Sequence, residues 1–168
     1  MIPTIDRWVA GRALDWLTYA ADTKLRLSIN ISAISIESAD VLQLILLKLD
    51  NGGLDPSRIC FELTETARIC DFRRTKESID ALRARVCTVA LDDFGTGASS
   101  FTYLRYLDVD YLKIDAGFVK SLRTDPANLV LVRAMVQIAN NLHIQTIAEG
   151  IEDITSIETL RQLGVGYG

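Results

Sequence analysis

The sequence predicts an α/β domain built on a mostly parallel sheet, and three observations lead there. Short β-branched runs alternate with longer amphipathic stretches along the 168 residues, which is the pattern of repeated strand-helix units. Each strand-like run carries charged or amide side chains near its C-terminal end. Parity then separates the faces: Ser28, Asn30 and Ser32 alternate with Ile29 and Ile31, and Lys113 and Asp115 alternate with Leu112 and Ile114. The first observation allows either a doubly wound sheet or a closed barrel. The other two favour a (β/α)8 TIM-type barrel, whose active site gathers polar residues from many strands at the C-terminal ends.

The elements follow in order. Pro3 to Ala21 spaces Ile5, Trp8, Val9, Trp16 and Leu17 as a helix, and Trp8 and Trp16 are assigned to core or interface. Arg26 to Ser32 is the first strand-like run. Ser38 to Asn51 reads as a helix with an apolar stripe starting at Val41, stopped by Gly52 and Gly53. Ile59 to Glu65, Thr88 to Phe94, Tyr111 to Asp115 and Ile144 to Glu149 are further strands. Asp125 and Pro126 are the N-cap and first residue of a helix running to about Leu142. Thr155 and Glu158 form a capping box for a last helix ended by Gly164, after which a sixth strand is expected to begin.

Composition limits the function classes. With 49% hydrophobic residues the chain has ample core material, which excludes a disordered or collagenous protein. Lys plus Arg number 18 against 22 Asp plus Glu, a net charge of -4 that argues against a non-specific nucleic-acid surface. Three cysteines without CxxC spacing and the single His143 make no ordinary zinc site and fit a reducing, cytoplasmic compartment. Cys60 and Cys87 lie on or beside strands and are expected to be buried, inert thiols. The most apolar stretch, Val41 to Leu49, is interrupted by Gln43 and Lys48 and falls short of the roughly 20 residues of a membrane helix.

The strand-end residues carry the chemistry. Asn30, Glu62, Asp92 and Asp93 are an all-oxygen set suited to a hard cation such as Mg²⁺ or Mn²⁺, and adjacent aspartates can serve two ions. Two ions can stabilise both the attacking and the leaving oxygen of a phosphoryl displacement. Lys113 suits positioning a water or neutralising a phosphate oxygen. A lone strand-end carboxylate is commonly a loop acceptor or a helix cap; several strands behaving alike weaken that alternative.

Taken together the motifs DRWV (6 to 9), SINIS (28 to 32), GLDPSRICFELTET (53 to 66), LDDFGTGASSFTYLRYLDVDYLKID (91 to 115) and IAEGIE (147 to 152) closely resemble the EAL domain of bacterial cyclic di-GMP phosphodiesterases. The resemblance implies a barrel that binds two Mg²⁺ or Mn²⁺ ions and hydrolyses cyclic di-GMP to linear pGpG. By position it makes Asn30, Glu62 and Asp92 metal ligands, with Asp93 at the second metal. Lys113 matches the residue that orients or activates water, and Glu149 matches a catalytic carboxylate. Glu65 matches the glutamate that holds the DDFGTG loop, and Glu152 matches a further site glutamate; Asp115, in YLKID, is a substrate-binding or supporting candidate. The family's eponymous Glu-Ala-Leu segment precedes the DRWV helix and is absent from this sequence, as are the strands that follow GVGYG. The expectation is therefore a partial EAL domain over 1–168, an incomplete barrel with impaired hydrolysis, or alternatively an inactive cyclic di-GMP-binding, dimerisation or regulatory module. A homodimer through this domain and a sensory domain outside it are the implied partners.

Overall fold

The computed structural model describes residues 1–51, 53–64, 69–97 and 100–168. In chain order these form α1 (Ile2–Tyr19), β1 (Leu27–Ile31), α2 (Ala33–Ile36), α3 (Ala39–Asn51), β2 (Ile59–Thr64), α4 (Phe72–Arg83), β3 (Thr88–Phe94), α5 (Ser100–Tyr106), β4 (Tyr111–Ile114), α6 (Ala116–Lys120), α7 (Pro126–Asn141), β5 (Gln145–Ala148) and α8 (Ile154–Leu163). The expected strands fall within a residue or two of those observed. The expected sixth strand is reduced to a single parallel bridge of Tyr167 to Ile147. Four helices, α2, α4, α5 and α6, lie between the elements read from the sequence.

The caps explain most boundaries. Asp125 accepts a hydrogen bond from the Ala127 amide, and Pro126 opens α7 as expected. Gly164 closes α8 in the left-handed region, at φ 88°. The Thr155 and Glu158 capping box is not the start of α8: Asp153 is its N-cap, accepting from the Ser156 amide at 2.9 Å. The carboxylate also takes the Thr155 hydroxyl, so the residue expected to cap the helix is instead bound to its cap.

The sheet has the order β1-β2-β3-β4-β5, and every neighbouring pair is parallel. This order decides between the two architectures that periodicity left open. A doubly wound sheet reverses its strand order and covers both faces with helices. Here each strand lies beside its predecessor, which is the winding of a barrel, and one face alone is packed against helices. Ile29, Ile31, Phe61, Leu63, Val89, Leu91, Leu112 and Ile114 are buried on that side. Ser28 and Asn30 on the opposite face are exposed. The five strands thus form part of a barrel wall, an arc with its polar face turned inward.

Helix α1 takes Trp8 and Trp16 out of the core, one of the two places expected for them. Its buried residues are Ala10, Gly11, Leu14 and Leu17, while Trp8 is 67% and Trp16 53% exposed. The helix packs on β1 and on α3, which buries Val41, Ile45 and Leu49 as the apolar stripe implies. At 3.6 residues per turn only one stripe of α1 faces these neighbours, and the small and aliphatic side chains occupy it rather than the indoles. Among the described residues no helix is long and apolar enough to cross a membrane.

Asp6 ties α1 to the turn that follows β1. Its Oδ2 accepts from the Ser32 amide at 3.0 Å and the Ser32 hydroxyl at 2.7 Å, and Ser32 caps α2. Burial works against the Asp6 charge, but bonds from Ser35 and Ser32 outweigh it and hold the pKa below its ordinary 3.8. Because the folded-state value is depressed, this stabilisation is complete above pH 3.8 and is lost as the pH falls through the lower folded value. In the Asp6→Asn variant, the loss of stability between pH 5 and pH 3, measured by urea denaturation, is expected to be smaller than in the wild type. An identical loss would remove Asp6 from the acid-sensitive set.

Candidate functional site

The polar face of the arc carries a cluster centred on Lys113. This residue lies on β4 with its side chain on the inner face, and its Nζ donates to Glu62 Oε2 of β2 at 2.8 Å. The same ammonium lies 2.8 Å from Asp92 Oδ1 on β3 and 2.6 Å from Glu149 Oε1, just past β5. Four neighbouring strands thus meet at one nitrogen. Lys113, Asp92 and Glu62 are 8%, 8% and 7% exposed, so these charges interact with little screening by water. Burial disfavours the Lys113 charge, but the bonds from Asp92, Glu149 and Glu62 prevail and hold its pKa above the usual lysine value.

Adjacent residues on a strand normally point to opposite faces, so Asp92 and Asp93 should not serve one site. A bulge changes this. Leu91 pairs with Leu112 and Phe94 with Ile114, so three steps along β3 match two along β4. Asp93 is the extra residue, at a left-handed φ of 55°, a conformation that Asp adopts more readily than most residues. As a result one carboxylate oxygen each from Asp92, Asp93 and Glu149 lies within 4.8 Å of the others. Asn30 sits beside Glu62 in the β1–β2 register, so its strand position borders the same cluster.

The remaining candidates are placed differently. Asp115 caps α6 by accepting from the Gly117 amide at 2.8 Å. Glu152 pairs with Lys120 of α6 at 2.6 Å on the rim, with its side chain 68% exposed. Glu65 lies outside the described residues. Burial pushes the Cys60 thiol up to about 11 and the Cys87 thiol up to about 12, which makes both poor nucleophiles. His143 is exposed, just beyond α7. The mutual contact of one lysine with three carboxylates is the feature that sequence reasoning did not foresee, because it depends on reach across β3.

The donor set is chemically apt for a hard divalent cation: every candidate atom is oxygen, and most are anionic. Fold and site together define a barrel-wall α/β domain with an acidic, lysine-bearing centre at its C-terminal strand ends. The chain belongs to the EAL domain family, whose pattern it matches over residues 1–168. It is 33% identical to the cyclic di-GMP phosphodiesterase PdeB of Shewanella oneidensis, over 99% of this chain and 20% of that protein. The EAL enzyme Bd1971, solved with cAMP and cyclic di-GMP bound, superposes with a TM-score of 0.89 at 28% identity, covering 98% of this chain and 46% of that one. Klebsiella pneumoniae BlrP1, solved as a manganese and cyclic di-GMP complex, gives a TM-score of 0.86 at 27% identity, covering 97% of this chain and 42% of that one. The chain spans about a fifth of the length of the curated relatives it matches.

Proposed function

We propose that residues 1–168 are part of an EAL domain that acts on cyclic di-GMP, hydrolysing it to linear pGpG with two Mg²⁺ or Mn²⁺ ions. The observation that carries this reading is the convergence of Glu62, Asp92 and Glu149 on Lys113, with Asp93 brought alongside by the bulge. Asn30, Glu62, Asp92, Asp93 and Glu149 are the residues that would hold the ions. When bound, such ions supply an acidified water and neutralise charge on the phosphodiester. The chain's own contribution is to fix these groups on rigid strand ends. Lys113 presents an N–H donor toward charge developing at phosphorus, and Glu149, its side chain 33% exposed, is open to exchange a proton with water. Asp115, the cap of α6 directly after β4, and Glu152, three residues past Glu149, are assigned to the outer parts of the nucleotide. Glu65 is assigned the support of the DDFGTG turn. A homodimer and a cytoplasmic setting with an attached sensory domain complete the reading.

The test is chromatography of cyclic di-GMP incubated with the protein and Mg²⁺ or Mn²⁺. Linear pGpG is expected to form with either ion and not in a chelator. Asp92→Asn is expected to abolish most of the product, because it removes a negative charge shared by Lys113 and the candidate ion site. Undiminished hydrolysis in chelator would overturn the metal mechanism. Nucleotide binding without any product would leave a binding module in place of an enzyme.

A further inference from the structure

The carboxylate oxygens of the cluster already have a cation. Lys113 Nζ lies within 2.8 Å of Glu62, Asp92 and Glu149, matching the three donors of an ammonium with three anionic acceptors. Among the described residues no buried side-chain nitrogen or oxygen lacks a hydrogen-bond partner, so the charges are satisfied internally. Two of the three carboxylates, Asp92 and Glu149, are also members of the group geometrically able to hold an ion. From this we infer that Lys113 is an intramolecular competitor of divalent cations, occupying the ligand oxygens and weakening ion binding until the ammonium is displaced. The inference rests on the reading of this cluster as a divalent-ion site.

The physical basis is charge at short range. A divalent ion drawn to Asp92 and Glu149 arrives within a few ångström of an ammonium that is 8% exposed, where water screens their repulsion poorly. Either the ion binds weakly beside the lysine or the lysine gives up its bonds. A four-carbon stem with a point charge can make that movement, which a planar guanidinium fork would resist. The consequence is opposite in sign to that of an ordinary supporting residue: removing a partner of a metal ligand normally weakens metal binding about 10–100-fold. Here, removal should strengthen it. Displacement by the ions would also turn the ammonium from the carboxylates toward incoming phosphate, linking ion loading to readiness of the lysine.

The experiment is titration of the protein with Mn²⁺, with free ion followed by electron paramagnetic resonance. Lys113→Met, which keeps the apolar stem and removes the charge, is expected to tighten Mn²⁺ binding about tenfold or more, the lower end of what partners of metal ligands command. Lys120→Met, which removes a cation paired with Glu152 on the rim, should leave the affinity unchanged and so exclude a general charge effect. Removing Lys113 leaves buried carboxylates facing one another. If that variant does not fold, Lys113→Met is combined with Glu149→Gln and compared with Glu149→Gln alone; the same tightening is expected. Unchanged or weaker affinity on loss of Lys113, in a protein that binds Mn²⁺, overturns the competition and leaves the ion-site reading standing. Absence of Mn²⁺ binding in both wild type and variant overturns the two together.

Discussion

Replacing Lys113 by methionine is expected to lower the turnover of cyclic di-GMP by about 10²-fold or more, even with Mn²⁺ saturating. Lys113 is anchored on β4 between β3 and β5, so once the ions have displaced its ammonium from the carboxylates the charge already stands at the site before substrate arrives. A donor that is already oriented need not be reorganised as charge develops on the phosphoryl oxygens, and this preorganisation gives it its value. Nucleotide affinity should change much less, because the interaction strengthens as the transition state forms. The decisive measurement is the split between kcat and KM at saturating metal. A raised KM with unchanged kcat would make Lys113 a binding residue. Combined with tighter Mn²⁺ binding, the expected loss of kcat separates a chemical role from a structural one, since a disordered site would bind metal more weakly.

Phe94→Ala is expected to have the largest effect on stability. Phe94 is fully buried, pairs with Ile114 across the bulge, and packs edge-on against Phe101 at 5.3 Å. It is the first residue after Asp93 to return to the helix-facing side, so its ring anchors the chain at the point where the bulge ends. Truncating a buried phenylalanine costs about 3–5 kcal/mol through lost burial and the cavity that remains. That is a large part of the 5–15 kcal/mol typical of a domain. Gly95, next in the chain, adopts a φ of +100°, and a Cβ there would lie 2.5 Å from Met135 Cε, so the turn is also held from its far side. The variant should show a lower denaturation midpoint in urea with an unchanged slope. It should also weaken Mn²⁺ binding, because Asp93 owes its orientation to the same bulge. Stability within 1 kcal/mol of wild type would show that the ring is not the anchor.

Much of the fold and site was legible in the chain itself. The alternation of β-branched runs with amphipathic stretches marked all five strands, since strand and helix periodicities depend only on local order. Asp125 with Pro126, and Gly164, marked helix ends through local hydrogen bonding and φ preference. The strand-end positions of Asn30, Glu62, Asp92, Lys113 and Glu149 followed from counting along each run, and parity placed Lys113 on the polar face. Asp153 was less legible than Thr155 because both are good caps. Only the path of the chain into α8 selects between them.

Tertiary structure decided what depends on elements distant in sequence. Strand order, which separates a barrel wall from a doubly wound sheet, is a property of how units pack, and every unit has the same local pattern in both. The exposure of Trp8 and Trp16 depended on which stripe of α1 met β1 and α3, a choice that an apolar helix with several possible faces leaves open. Asp92 and Asp93 are adjacent and by alternation belong to opposite faces; the register slip against β4 brings them together. Lys113 meets Glu62 from 51 positions away, across an intervening strand, and no local pattern encodes that distance. Periodicity and capping are written into neighbouring residues, whereas charge convergence is set by the packing of strands far apart in the chain.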